Sequence, residues 1–343
     1  MNKNKLLVAV TLALSLSWMG CNKSGKLDTK SEFKAPGGPV ELKLKWPVGE
    51  RIVQDMDMKQ SMELSIPGQP GPTKQDMNMG QEYGLTVLKD TPGGGHEIEM
   101  EFLSARMSIA MGGKTLDYDS TKKPANDSAN PAAAKIQKSL ADMFGKIVGS
   151  KIQYFLDASN DVERMEGVDE LENRLSSGTQ TDWLAPFKSA MFSKDRFKQI
   201  MSANRYLPPK AVQPGDTWPN TLSFEMGPLG TMTMDFNSTF QSWEMHGKRN
   251  CARLEIQGTI KSTPGTNANP TGLTMTITGG DFTGISWFDP ELGITIDTTM
   301  NEDLKMVMNL PMNSRGNAGA ASRMQTITNQ MSQIINIKLV SVK

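Results

Sequence analysis

The sequence predicts an α+β protein dominated by β-structure. The expected architecture is a curved antiparallel sheet, built from two related β-rich halves with helices in the middle of the chain. Three observations carry this. Apolar and polar residues alternate with period two through most of the chain, which is the pattern of half-buried strands. Between Pro131 and Leu207 the alternation largely gives way to helical spacing. A turn also recurs: Trp46-Pro47-Val48-Gly49-Glu50-Arg51 resembles Val212-Gln213-Pro214-Gly215-Asp216-Thr217-Trp218. A second pair, Ser108 to Gly113 and Met275 to Gly280, lies at the same spacing to within one residue.

The segments follow in order. Residues 1–20 are expected to be a signal peptide. Lys3 and Lys5 precede an apolar run from Leu6 to Leu16, too short for the about 20 residues that span a bilayer. Gly20-Cys21 resembles the lipobox of bacterial lipoproteins, in which the cysteine is acylated and becomes the new amino terminus. Trp18 departs from that pattern, which usually has Leu there. The rival expectation is cleavage after Ser17, because Ser15 and Ser17 make a small-x-small site. Residues 21–39 are polar and Gly/Pro-rich, as a flexible tether behind an anchor would be. Lipidation is therefore assigned to Cys21.

Residues 40–130 form the N-terminal β-rich half. Val40 to Trp46 alternates as a strand does. Ile98, Met100 and Phe102 share one face; then the phase slips to Met107, Ile109 and Met111. A bulge near Leu103 to Ala105 accounts for the slip. Residues 131–207 form the helical middle. Helices are expected over Pro131 to Val148, Val168 to Leu175 and Leu184 to Asn204, with a hairpin over Lys151 to Met165 turning at Ala158 to Asp161. Residues 208–343 form the C-terminal β-rich half. Its strands include Met232 to Phe236, Leu273 to Ile277 and Ile335 to Leu339.

Composition excludes several functions. Lys+Arg and Asp+Glu both number 37, and no basic stripe suggests nucleic acid. Of the two cysteines, acylation of Cys21 leaves only Cys251, expected as a small inert strand residue. The two histidines, His96 and His246, both sit beside glycine in expected turns. No nucleophile–base pattern, metal-ligand spacing or phosphate-binding loop is present, so neither catalytic nor metal residues nor a cofactor are assigned. Asp117 and Asp119 are expected to end a strand and accept turn hydrogen bonds. The tryptophans are expected mainly as core anchors.

Methionine is unusually frequent, at 25 residues. Met56/Met58, Met77/Met79, Met232/Met234 and Met306/Met308 each place two thioethers on one strand face. Thioethers suit Cu(I), but the pairs are spread along the chain, as core residues would be. An intermediate expectation is an adaptable apolar cavity.

Three segments, Leu116 to Ser120 (LDYDS), KIQYFLDASNDVERMEG leading into VDELENRL, and Leu207 to Asn220 (LPPKAVQPGDTWPN), occur in this order. The chain thereby resembles a family of bacterial lipoproteins and secreted proteins of unknown function. Pro209, Val212, Gly215, Asp216 and Trp218 form its most specific motif. The resemblance implies a lipoprotein and supplies no activity.

Together these features predict a non-enzymatic, extracytoplasmic lipoprotein of the bacterial cell envelope. It would be held to the membrane through Cys21, at the outer membrane if one exists, or else secreted or periplasmic. Two roles are compatible: binding an apolar ligand such as a lipid on a concave sheet, or a structural or assembly role through the surface.

Overall fold

The computed structural model describes residues 37–111, 114–122, 131–176, 194, 197–198, 206–225, 230–264, 274–312 and 323–343. The signal segment, Cys21, Trp183 and most of the Leu184 to Asn204 helix lie outside them.

Twelve strands make one antiparallel sheet that curves without closing. The first half contributes β1 (Arg51–Ser65), β2 (Thr73–Asp90), β3 (His96–Met111) and β4 (Lys114–Asp119). The middle contributes helix α1 (Pro131–Ile147), β5 (Lys151–Leu156), β6 (Val162–Glu166) and helix α2 (Val168–Ser176). The second half contributes β7 (Thr217–Glu225), β8 (Thr231–His246), β9 (Arg249–Thr263), β10 (Thr274–Asp289), β11 (Ile294–Met312) and β12 (Arg323–Val342). The spatial order is β6-β5-β3-β2-β1-β12-β11-β10-β9-β8-β7, with β4 beside β3. The two halves are thus joined by pairing the first strand with the last, from Ile52↔Val342 to Ser65↔Thr328.

Alternation decides which face is buried. On β1, Ile52, Met58, Met62 and Leu64 point to the inner face, while Asp55, Asp57 and Lys59 point out. Leu140, Met143, Phe144 and Ile147 of α1, with Val168, Leu171 and Leu175 of α2, pack on the same core as Met58, Met77, Met79 and Met107. Phe197 meets Phe102 edge-on at 6.2 Å, which brings the described part of the third helical segment onto that core. The expected bulge is present. Tyr83 pairs with Phe102 and Glu82 with Ser104, leaving Leu103 as the extra residue.

The repeated turn is made alike in both halves. Glu50 N–H donates to Pro47 O (3.1 Å) and Asp216 N–H to Gln213 O (3.0 Å). Gly49 and Gly215 have φ of 88° and 98°, which a type II turn requires at its third position. Each glycine N–H then donates to the partner strand, Gly49 to Val87 O and Gly215 to Phe240 O. Of the second pair, Gly279 lies within β10 at a bulge, while Gly112 and Gly113 lie outside the described residues.

Val40 to Trp46 departs from the expected strand. It is extended and alternately buried, but pairs only as a bridge, Val40↔Val212. It leaves the sheet and crosses the strand ends. Lys45 N–H donates to Gly293 O in the β10–β11 turn (3.0 Å), and Trp46 Nε1 donates to Asn160 Oδ1 in the β5–β6 turn (2.8 Å). Its hydrogen bonds therefore go to turns instead of a ladder. From β5 to β10 the sheet measures about 29 Å across at ~4.8 Å per strand, yet the adjacent residues Lys45 and Trp46 reach turns at both. One segment touches both flanks, so the sheet curls at this end.

Candidate functional site

The inner face is largely apolar; hydroxyls such as Ser286 and Thr298 pair with each other there, and the buried amides gather at its centre. There the alternation of four adjacent strands inserts polar residues at inward positions: Gln75 on β2, Gln60 on β1, Asn329 and Gln333 on β12, and Glu302 on β11. All five are buried, none more than 3% exposed. They surround a cross-strand methionine pair, Met62↔Met331. Gln75 stands beside Met62 across the β1–β2 ladder. Gln60 and Gln333 face each other one step along, and Gln333 faces Glu302.

Hydrogen bonds link part of this group. Gln333 Nε2 donates to Glu302 Oε2 (3.1 Å), and Gln60 Nε2 donates to Gln333 Oε1 (3.2 Å). The methionine sulfurs accept weakly, Met331 from Gln60 and Met62 from Asn329. Among the described residues, both polar atoms of Gln75, Oε1 of Gln60 and Oδ1 of Asn329 have no partner. A buried amide without a hydrogen bond costs about 1–3 kcal/mol per group. Such a concentration of unpartnered buried amides makes this spot the candidate site.

Sequence reasoning missed these residues, although a signal was present. In Met56-x-Met58-x-Gln60-x-Met62 and Asn329-x-Met331-x-Gln333-x-Ile335, polar residues stand in the apolar phase. The four Met-x-Met pairs all lie on the inner face, seven of the eight side chains buried and Met56 packed against the core.

The other singled-out residues have local roles. Asp119 accepts from Thr121 N–H (2.9 Å) and pairs with Lys122 (2.7 Å), which holds its carboxyl well below the usual range. Tyr118 stacks on Phe144 of α1, with ring centroids 5.1 Å apart. Ser120 Oγ accepts from Ala105 N–H beside the bulge (2.9 Å). Asp117 lies in β4, opposite Ser108. His96 begins β3 and bonds Asp90 (2.9 Å). His246 ends β8, bonds Asp297 (2.8 Å) and stacks on Trp287. Cys251 is buried in β9, and burial pushes its thiol up to about 12. Trp218 is buried and donates to Tyr206 O (2.8 Å), while Asp216 accepts from Gln213 N–H (2.9 Å). The structure does not bring His96, His246 or the Asp117/Asp119 pair to the buried amides. Among the described residues no group of three or more His, Cys, Asp or Glu could hold a metal ion, and no helix is long and apolar enough to cross a membrane.

The LDYDS segment at the end of β4, the β5–β6 hairpin and the Gly215 turn all fall within residues 93–295, which match the model of a family of unknown function, DUF6263. The chain belongs to this family. No curated protein matches it. Among solved structures, a structure of lipid–protein interactions in lipovitellin aligns over 87% of this chain at 9% identity and a TM-score of 0.39. The chain spans 26% of that lipovitellin chain. An exported protein with a YmcC-like fold from Bacteroides fragilis aligns over 89% of this chain and 100% of its own, at 12% identity and a TM-score of 0.25. The outer membrane protein OprG of Pseudomonas aeruginosa aligns over 88% and 98%, at 8% identity and a TM-score of 0.20.

Proposed function

We propose that this DUF6263 protein is a non-enzymatic, extracytoplasmic binding protein of the bacterial envelope, anchored through acylated Cys21, that holds an apolar ligand such as a lipid against the inner face of its sheet. One observation carries the binding: buried amides without partners, set in a methionine-lined face. Methionine side chains are flexible and polarizable, so they repack around ligands at low cost. The apolar chain would lie along Met58, Met77 and Met300. Cys21 followed by a polar tether supports the anchor.

A second reading has its own support. Met58, Met62, Met77 and Met300 are at most 1% exposed, so the inner face is packed. That packing suits a structural role. Under the binding reading, a ligand displaces covering segments as it enters.

The test is direct. Residues 26–343 are expressed in a bacterial periplasm and purified without detergent, and the native mass is taken before and after organic extraction. A discrete excess mass that extracts as lipid is expected. A bare polypeptide that takes up no added lipid overturns the binding role. For the anchor, the full chain should incorporate labelled palmitate and Cys21→Ala should not; label on both, or on neither, overturns acylation at Cys21.

A further inference from the structure

The orientation of the buried amides says what kind of polar group they receive; the inference rests on the apolar-ligand reading above. A carboxylate accepts hydrogen bonds, so Gln333 turns its NH2 towards Glu302 and its oxygen towards Gln60. Gln60 must then present its NH2 to Gln333. The relay runs across three strands in one direction, and Gln60 Oε1 is left as an open acceptor at its end. Asn329 is oriented by Met62. Its NH2 faces the thioether sulfur, where an amide oxygen would gain nothing, so Oδ1 is left open as a second acceptor. Gln75 adds a third acceptor, and among the open atoms of the described residues its NH2 is the only donor group.

Among the amides of this cluster, three open acceptors stand against one open donor group. We infer that the centre of the inner face receives a donor-bearing polar group, a hydroxyl above all, on an apolar ligand. A hydroxyl gives its proton to one amide oxygen and accepts from Gln75 Nε2. An ester carbonyl accepts only and leaves the three oxygens buried and unmet. The ligand class is therefore an acyl chain ending in free hydroxyls, as in a monoacylglycerol, instead of a fully esterified lipid. Gln60 and Gln75 are the specificity residues, being neighbours on adjacent strands, one step apart in register.

Monolaurin and methyl laurate share one acyl chain and differ in their hydroxyls. Residues 26–343, delipidated, are loaded with each and their retention compared by native mass. Wild type should retain monolaurin about tenfold better, the factor that one net hydrogen bond supplies. Gln75→Met, close in volume, should fold, melt at a higher temperature and lose the preference. Equal retention of both probes overturns the hydroxyl assignment and leaves the apolar-ligand reading standing. Retention of neither, with no native lipid, overturns both. If Gln75→Met melts higher but keeps the preference, its amide holds only water and the inference falls.

Discussion

Arg106 on β3 lies flat across Gly80 on β2. Its Nε is 2.5 Å from where a Cβ at Gly80 would stand. The missing side chain lets the guanidinium pass over β2 and reach Asp55 and Asp57 on β1, each at 2.9 Å. Arg51 makes the reverse crossing. It starts on β1, passes over Gly84 and reaches Glu101 on β3 at 2.6 Å. Two glycines in one strand thus open two paths for ion pairs across three strands.

Gly80→Val should remove the first path. Valine normally favours a strand, by up to about 1 kcal/mol. Here the gain should be cancelled by loss of the Arg106 pairs, which are partly exposed and worth about 0.5–1 kcal/mol together. A double-mutant cycle with Arg106→Met, read by urea unfolding, should show that coupling at low salt and lose most of it at 1 M salt. Independent, additive effects would show that the crossing contributes nothing.

The crossing segment should depend on Asn160. This residue has φ of 65° and holds Trp46. Asn160→Gly keeps the backbone conformation and removes the acceptor, so it should cost about 1 kcal/mol. Asn160→Ala should cost a further ~1 kcal/mol for the left-handed backbone. Hydrogen exchange should rise at Lys45 N–H in both. Equal stability of the two variants would rule out the backbone part.

Trp218→Phe should leave the Tyr206 carbonyl buried without its donor. A loss of about 1–3 kcal/mol is expected, read by thermal or urea unfolding. A change below ~0.5 kcal/mol would mean that the indole N–H bond is not needed at the family turn.

Cys251 should resist thiol reagents in the native state and react once unfolded. Its thiol lies near 12 when folded, against an ordinary 9.0, because of burial first and the Asp289 charge second. The unfolded chain therefore loses this proton first. The group should leave stability unchanged below pH 9 and lower it as pH rises from 9 towards 12. Tyr83, Tyr154 and Tyr206, also pushed above 10 by burial, add to the fall at higher pH. Cys251→Ala should flatten the curve between pH 9 and 10, measured by urea unfolding at each pH. An unchanged slope would overturn the assignment.

Several features were legible before any fold was known. The phase slip after Phe102 placed a bulge within Leu103 to Ala105, where the structure has Leu103 as the extra residue, because one extra residue reverses every later side chain. Gly215 and Trp218 announced a turn and a buried ring. The 40–46 segment misled, because alternation reports only that a chain is extended and buried on one side. It cannot tell a ladder partner from a series of turns.

The sequence by itself determined which residues face inward, since strand geometry ties facing to position with period two. It also determined where chains turn, since only some residues accept those backbone angles. Only the tertiary structure decided which strands are neighbours. The pairing of β1 with β12 brings Gln60 and Gln333 together across nearly the whole chain. Long-range pairing depends on the total burial of all twelve strands, and no local pattern records it. The cluster of buried amides exists only once that pairing is made.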